Sequence, residues 1–308
     1  MSEIEVPPAE WKRLAHGVYA FLQQPSFGVS NSGLIVGKKD ATVVDSLANK
    51  HMVENFISKI KEVTDKPIRF IINTHHHPDH TFTNHFFPVA TAITSHRSRQ
   101  ELINYSPYIE RIKQLHNAKV DHEGSKLTPQ EVTFEGTLNL YDGEREIRII
   151  DMGPAHCQSD IIVYLPEEKI IFSGDILTVG MYPSCVEKFW SGSYRIIKVL
   201  DTLASMDAET FVPGHGKVVL SREETAKRVS ESIEFLIVLR EEARKCFEKG
   251  MTSEEAFEKL DWSKFKKWGE KEKLGVIISG NLATIFSEFS GAPPGTNVEH
   301  KGWMKSVS

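Results

Sequence analysis

Residues 68–80 read IRFIINTHHHPDH, and this stretch decides the fold. Its first five residues are a short apolar run, which predicts a buried β-strand over Ile68–Ile72. Two polar residues end the strand, so the cluster His75–His80 follows at its carboxyl end. Binding and catalytic side chains concentrate in loops that rigid elements hold in place. The stretch therefore predicts a metal site on an α/β scaffold.

The cluster has the form H-x-H-x-D-H, and the spacing divides it into two pairs. His75 and His77 are two residues apart in an extended loop, so their rings project to the same side and can share one metal ion. Asp79 and His80 continue into a turn or helix start and reach a second ion. Mixed imidazole and carboxylate ligands suit zinc, with iron and manganese as alternatives. His76 lies outside both pairs and is assigned a structural role.

Around the cluster, short apolar runs alternate with turn residues and predict two sheets with helices outside them. Strands are expected at residues 18–22, 33–37, 41–45, 68–72, 89–94, 138–141, 146–150, 161–165, 170–172 and 211–212. Helical spacing is expected at residues 48–63, from 95 to about 116, and at 193–205. These elements predict an α/β catalytic domain over residues 1–220.

From Ser221 onward the composition changes to that of helices, which are expected at residues 221–250, 252–260 and 274–289. Residues 221–308 are therefore predicted to form a helical C-terminal extension. The apolar face over Ile233–Leu239 is wider than a lone surface helix needs, so it is expected to be buried. Packing on the catalytic core and formation of a homodimer are both open at this point.

Composition restricts the class of protein. The net charge of -5 provides no basic surface for nucleic acid, so a small-molecule substrate is expected. The three cysteines, Cys157, Cys185 and Cys246, are too few and too far apart for a disulfide framework. Residues 1–22 lack the apolar core of a secretory signal, and no apolar run is long enough to span a membrane. We therefore expect a cytoplasmic protein.

Five motifs make the chain resemble the metallo-β-lactamase superfamily over roughly residues 18–220. These motifs are Thr42–Ser46, Thr74–His80, Gly153–His156, Phe172–Asp175 and Pro213–Gly216. The resemblance implies a four-layer αβ/βα sandwich with the functional site at one edge. The ligands that it implies fall into two sets, His75, His77 and His156 for the first metal ion and Asp79, His80 and His215 for the second.

The resemblance assigns roles to three aspartates. Asp175 would bridge the two ions, and Asp45 would lie beneath the histidine loop and orient a ligand without touching metal. Asp79 would also orient the nucleophile and accept its proton. Most zinc β-lactamases carry a cysteine or serine at the position of Asp175, so the expectation moves from antibiotic hydrolysis to a more general hydrolase.

The implied activity is hydrolysis by a hydroxide that bridges two ions, most simply zinc. Ester, lactone, β-lactam, thioester and phosphoester bonds are the expected targets, and a promiscuous enzyme fits this range. Two alternatives stay open: a metal-binding interaction module without catalysis, and a dinuclear iron redox protein of the same fold.

Substrate contacts are expected from two aromatic segments. Phe27 lies in residues 24–32, where the family has a loop over the metal ions. Tyr182, Trp190 and Tyr194 follow the bridging aspartate and could line the substrate pocket.

Overall fold

The computed structural model describes residues 9–24, 28–105, 124–185, 192–217 and 220–291. The chain divides into two compact units. The first unit is formed by Met1–Met152, Ser159–Met181 and Asp207–Arg222, and the second by Gly153–Gln158, Tyr182–Met206 and Glu223–Ser308.

The first unit contains a sheet of seven strands in sequential order. Its strands are β1 Glu10–Ala15, β2 Val18–Leu22, β3 Ser32–Val36, β4 Ala41–Val44, β5 Ile68–Ile72, β6 Thr91–Ser95 and β7 Val132–Phe134. Strands β1 to β4 pair antiparallel, and β4 to β7 pair parallel. The strand predicted at 68–72 is confirmed. The strand predicted at 89–94 begins two residues later, because Val89 lies in the preceding turn and is 79% exposed.

A second sheet in this unit has six strands among the described residues. Its strands are β8 Thr137–Asp142, β9 Arg145–Asp151, β10 Ile161–Leu165, β11 Ile170–Phe172, β12 Thr210–Val212 and β13 Leu220–Ser221. Their spatial order is β13-β12-β11-β10-β9-β8, with β11 and β12 parallel. The sequence Asp142-Gly143 lies at the hairpin between β8 and β9, where Gly143 has a φ of +67°.

The main hydrophobic core lies between the two sheets, because both contribute buried side chains to one cluster. Its members from the first sheet include Val18, Ile35, Val44, Ile72 and Ile93, and those from the second include Ile149, Val163, Phe172 and Val212. Each fully buried large apolar side chain stabilises the fold by roughly 1.5–3 kcal/mol. The prediction of two sheets is therefore confirmed.

A second core lies on the other face of the first sheet, under a helix. Among its described residues, the α-helices of this unit are α1 Lys50–Val63, α2 Pro78–Thr81 and α3 His96–Tyr105. In α1 the buried residues Val53, Phe56 and Ile60 follow helical spacing and pack on the sheet. The helix begins after Asn49, whose side-chain oxygen accepts the Met52 N–H at 3.0 Å. The predicted helix that starts at residue 95 is seen as α3, and its part beyond residue 105 lies outside the described residues.

The second unit is mainly helical. The α-helices that the structure describes there are α4 Ser193–Ser205, α5 Arg222–Phe247, α6 Ser253–Lys259 and α7 Lys271–Ser290. Helix α5 belongs to this unit from Glu223 onward. An aromatic cluster holds them together: the Phe235 ring of α5 stacks on Tyr182 at 4.9 Å and meets Trp268 edge-on at 5.5 Å. Within the described ranges, no helix has the length and apolar character needed to cross a membrane.

The strand order brings four loops of the first unit to one edge. Strands β4 and β5 are parallel neighbours, so Asp45 after β4 lies beside the histidine loop after β5. The backbone N–H of Asp45 donates to the carbonyl of Ile72 at 3.0 Å. In the second sheet, β11 and β12 are also parallel, and their carboxyl ends lead into the segments that carry Asp175 and His215.

Candidate metal centre

The histidine loop packs three imidazoles of the first unit closely together. The ring centroid of His75 is 4.7 Å from that of His77 and 4.1 Å from that of His80. His75 and His80 are fully buried. Pro78 occupies the first position of the short helix α2, which suits its fixed φ and missing N–H. The start of this helix sets the directions of Asp79 and His80.

Two carboxylates and two imidazoles converge at the second part of the site. The Nε2 atom of His215 is 3.1 Å from Oδ2 of Asp175 and 3.4 Å from Oδ2 of Asp79. The Nε2 atom of His80 is 3.4 Å from Oδ1 of Asp175 and 3.8 Å from Oδ2 of Asp79. All four side chains are buried. The potential ligand atoms of His75, His80 and Asp175, and those of Asp79, His80 and His215, each lie within 4.8 Å of one another.

These distances fit a bound metal ion. Two ligand atoms that each lie 2.0–2.1 Å from a tetrahedral ion are about 3.3–3.4 Å apart. Separations of 3.1–3.8 Å between the nitrogen and oxygen atoms are close to this value. The buried Nε2 atom of His80 accepts or donates no hydrogen bond among the residues that the structure describes. A metal ion is the partner that this donor set suits.

Asp45 supports the histidine loop from below. Its Oδ1 accepts the backbone N–H of Thr74 at 2.8 Å, and its Oδ2 accepts the Thr74 hydroxyl at 2.8 Å. Oδ2 is also 2.8 Å from Nδ1 of His80. A donating Nδ1–H leaves the lone pair of the neutral ring on Nε2, the atom that faces Asp79 and Asp175. Asp45 adopts a left-handed φ of +57°, which aspartate tolerates better than most residues.

The electrostatics of the site also favour a cation. Burial alone would raise the pKa of Asp175, but the imidazoles of His215 and His80 outweigh it and hold that pKa well below its usual value. Burial would lower the pKa of His80, but the surrounding carboxylates, Asp45 foremost, raise it well above its usual value. When the imidazoles lose their protons, as ligation requires, the carboxylates leave the site negatively charged. A divalent cation would compensate this charge.

Backbone carbonyls orient two further predicted ligands. Nδ1 of His215 lies 2.8 Å from the carbonyl oxygen of Val29. In the second unit, Nδ1 of His156 lies 2.9 Å from the carbonyl oxygen of Ser184. Both contacts favour Nε2 as the coordinating atom of the ring.

Residues 183–185, which include the carbonyl that contacts the His156 ring, are held by helix α7. Asn281 of α7 donates from Nδ2 to the carbonyl of Pro183 at 2.9 Å and accepts the Cys185 N–H on Oδ1 at 2.8 Å. Asn281 is fully buried. One helical amide therefore fixes the residues on both sides of Ser184.

A glycine permits the close approach of the His215 loop to Asp175. A Cβ atom on Gly214 would lie 2.0 Å from Oδ1 of Asp175 and 2.6 Å from the carbonyl carbon of Gly174. Neither distance is sterically possible. The Gly214 N–H donates to the Gly174 carbonyl at 2.8 Å, which fixes the two loops against each other.

The other predicted positions have varied surroundings. Phe27 and Trp190 lie outside the described residues. Tyr182 is half-buried in the aromatic cluster of the second unit, and Tyr194 on α4 is 56% exposed with Lys198 over its ring. His76, which was assigned a structural role, is buried.

The sequence analysis missed the residues that connect the loops, foremost Ser30 and Asn31. Their only sequence signal is a run of polar residues between two apolar strands, which is equally typical of a turn.

Comparison with known proteins decides the family. A family model described as the Metallo-beta-lactamase superfamily matches residues 25–215, more than half of the chain. The chain belongs to the metallo-beta-lactamase superfamily. The resemblance inferred from the five motifs is thus confirmed, and the two sheets with their helices and helical C-terminal region are the αβ/βα sandwich of this superfamily.

The chain is similar to two alkylsulfatases and to another metallo-beta-lactamase family protein. A linear primary-alkylsulfatase from Pseudomonas sp. (strain ATCC 19151) is 22% identical over 261 residues, which are 74% of this chain and 49% of that protein. The inverting sec-alkylsulfatase Pisa1 from Pseudomonas sp. has a similar fold, with a TM-score of 0.66, 12% identity, and coverage of 94% of this chain and 51% of that one. A metallo-beta-lactamase family protein from Thermus thermophilus gives a TM-score of 0.65 at 18% identity, covering 91% of this chain and 96% of that one. The chain spans about half the length of the two alkylsulfatases.

Proposed function

We propose that this protein is a metal-dependent hydrolase with two divalent ions in its active site. The observation that carries the proposal is the convergence of Asp79, His80, Asp175 and His215, whose ligand atoms lie 3.1–3.8 Å apart in a buried site. Structural zinc sites are closed and usually rich in cysteine, whereas these four residues provide two imidazoles and two carboxylates. The chemistry of the donors therefore favours catalysis over a structural role.

The proposed ligands form two sets joined by one carboxylate. His75, His77 and His156 would hold the first ion, and Asp79, His80 and His215 would hold the second. Asp175 would be a ligand of both ions. Its carboxylate oxygen lies within 4.8 Å of ligand nitrogens of His75 and His80, which supports this role. Zinc is the proposed metal, because a borderline-soft ion suits mixed nitrogen and oxygen ligands.

When bound, the ions lower the pKa of coordinated water and polarise the bond to be cleaved. Side chains of the protein orient the attacking water and the metal ligands. Burial would raise the pKa of Asp79, but His80 and His215 outweigh it and lower that pKa below its usual value. Asp79 is therefore ionised at neutral pH, and its carboxylate can orient the attacking water and accept a proton from it. Asp45 holds His80 in the tautomer that places the lone pair on Nε2.

The proposed substrates are small molecules with ester-type bonds. Carboxylic ester, lactone, thioester, β-lactam and phosphoester bonds all react through attack on a polarised electrophile. The similarity to a primary-alkylsulfatase, which extends over 74% of the chain, adds alkyl sulfate esters to this group. Anionic substrates of this kind would benefit from the positive charge of the two ions.

Metal analysis combined with a substrate panel tests the proposal. The full chain is stripped with chelator, reloaded with zinc, manganese or iron, and assayed on alkyl sulfates, carboxylic esters, lactones, thioesters, phosphodiesters and β-lactams. We expect two equivalents of metal, and activity that disappears with chelator and returns with zinc. In the matched variants, Asp79→Asn should lose most activity, whereas His76→Asn, in the same cluster but outside both ligand sets, should retain two equivalents.

Three results would contradict the proposal. Protein that takes up no metal would exclude a metal enzyme. Metal uptake without turnover of any substrate would favour an interaction module. Coloured protein with stoichiometric iron and redox activity would favour a dinuclear iron protein.

We also propose that the helical extension of residues 221–308 forms a homodimer. Ile237 on α5 and Val276 on α7 are 44% and 39% exposed, and a second copy would cover these two apolar side chains. Light scattering at micromolar concentration should give twice the chain mass of 34.8 kDa. A mass of one chain at that concentration would exclude the dimer.

A further inference from the structure

The segment Val29–Asn31, which leads into β3, connects two of the loops that carry proposed metal ligands. The side chain of Asn31 is the centre of this connection. Its Nδ2 donates to the carbonyl of Pro213 at 2.8 Å and to that of Gly216 at 2.9 Å. Its Oδ1 accepts the backbone N–H of Gln23 at 2.8 Å. The side chain is 3% exposed, so water does not compete for these bonds.

The backbone of the same segment adds two further contacts to the His215 loop. The Asn31 N–H donates to the carbonyl of Gly214 at 2.7 Å. The carbonyl oxygen of Val29 lies 2.8 Å from Nδ1 of the His215 ring. The segment therefore holds the carbonyls before and after His215 as well as its ring. Both the position and the rotation of the imidazole depend on it.

The segment also reaches the histidine loop. The Ser30 hydroxyl donates to the carbonyl of Asp79 at 2.5 Å, and the carbonyl of Ser30 accepts from Nε2 of Gln23 at 2.5 Å. Asp79 follows β5 of the first sheet, and His215 follows β12 of the second sheet, far away in sequence. A single short segment thus sets the distance between their loops.

We infer that Asn31 is a positioning residue that sets the geometry of the second metal position through the His215 loop, an inference that rests on the proposed function. The chemistry of the amide explains the choice of residue. Two carbonyls and one N–H must be satisfied in a buried space, and a short side chain with two donor hydrogens and one acceptor oxygen does this. Aspartate has the same shape but would present oxygen to the carbonyls of Pro213 and Gly216.

Metal titration of Asn31→Asp tests the inference. Loss of residues that orient metal ligands typically weakens binding by about 10- to 100-fold. We therefore expect the second equivalent of Co²⁺ or Zn²⁺ to bind about 10- to 100-fold more weakly than in the wild type, while the first equivalent changes little. The visible absorption of the Co²⁺ protein should change only as the second equivalent is added. This spectrum reports coordination geometry and does not depend on turnover.

Two further variants separate positioning from general destabilisation. Ser30→Ala removes one hydrogen bond to the Asp79 carbonyl and should shift the same second equivalent by a smaller factor. Asn49→Ala removes a buried amide that caps α1, so it should lower the melting temperature of the metal-free protein without altering either equivalent. If Asn31→Asp does not fold, the metal titration of Ser30→Ala tests the role of the segment.

The results separate the role of the segment Val29–Asn31 from the proposed function. Wild-type protein that binds two equivalents, together with unchanged titrations of Asn31→Asp and Ser30→Ala, would overturn the role of the segment and leave the proposed function intact. A shift of both equivalents by the same factor in Asn31→Asp, matched by Asn49→Ala, would reduce the role to stability alone. Wild-type protein that binds no metal would overturn both.

Discussion

Replacing Asp45 with asparagine should weaken the second metal position while leaving the fold intact. The carboxylate of Asp45 accepts from three groups, the N–H and hydroxyl of Thr74 and Nδ1 of His80, each at 2.8 Å. If the amide oxygen keeps the Thr74 N–H, its NH₂ group faces His80. His80 must then adopt the tautomer in which Nδ1 accepts a hydrogen bond and Nε2, the proposed ligand atom, carries the proton. Asparagine tolerates the left-handed backbone of this position as aspartate does.

The magnitude follows from the hydrogen bond that is lost. A hydrogen bond to a charged group contributes about 1.5–3 kcal/mol, which corresponds to about a 10- to 150-fold change in an equilibrium constant. We therefore expect the metal affinity of the His80 position to fall by that factor. Competition titration with a chromophoric chelator measures it, and thermal unfolding of the metal-free variant checks the fold.

A matched substitution at a distant aspartate completes the experiment. Asp40→Asn alters a carboxylate that pairs with Arg69 at 3.3 Å, away from the histidine loop, and should leave the affinity within about twofold of the wild type. Equal affinities of Asp45→Asn and wild type would refute the argument that Asp45 selects the tautomer of His80.

Three other outcomes are expected. Gly214→Ala should lower metal content and thermal stability, because its Cβ would lie 2.0 Å from Oδ1 of Asp175; unchanged metal content on elemental analysis would contradict the close approach. Chelation should lower the melting temperature, because a ligand at 100 times its Kd stabilises the folded state by about 2.7 kcal/mol; calorimetry with and without zinc measures this, and identical curves would argue against a bound metal. Burial would raise the pKa of Glu242, but Lys245 and Lys264 outweigh it and lower that pKa in the folded protein. The ionised carboxylate therefore stabilises the fold at pH values above the unfolded pKa, and this stabilisation disappears as the pH falls through the folded pKa. In urea unfolding, Glu242→Gln should therefore be less stable than the wild type by under about 1 kcal/mol at pH 7, since both lysines are partly solvated, and this difference should shrink as the pH falls through the folded pKa; a difference independent of pH would exclude this cause.

The sequence predicted those parts of the fold that depend on local pattern. Strand β5 is a continuous apolar run, and α1 has one apolar face, so both were located within two residues. Strand β1 was missed, because Glu10–Ala15 is an edge strand with exposed charged side chains and lacks clear alternation. Its pairing with β2 is a tertiary interaction that the segment itself does not encode.

The same distinction applies to the candidate site. Histidines and aspartates in fixed motifs can be recognised as ligands from the sequence, because few other functions require that spacing. Asn31 and Asn281 carry no such signal, since each acts on backbone carbonyls of residues far away in sequence. Only the folded chain brings those carbonyls to them. Supporting residues are therefore the part of such a site that sequence analysis alone does not reach.

The contact between α7 and the segment around Ser184 has a consequence for protein synthesis. Asn281 fixes the residues on both sides of the carbonyl that orients His156, and it is translated more than a hundred residues after that histidine. A nascent or truncated chain that lacks α7 presents His156 without this support. The support of the His156 ring is therefore incomplete until α7 has been translated and has packed on residues 183–185.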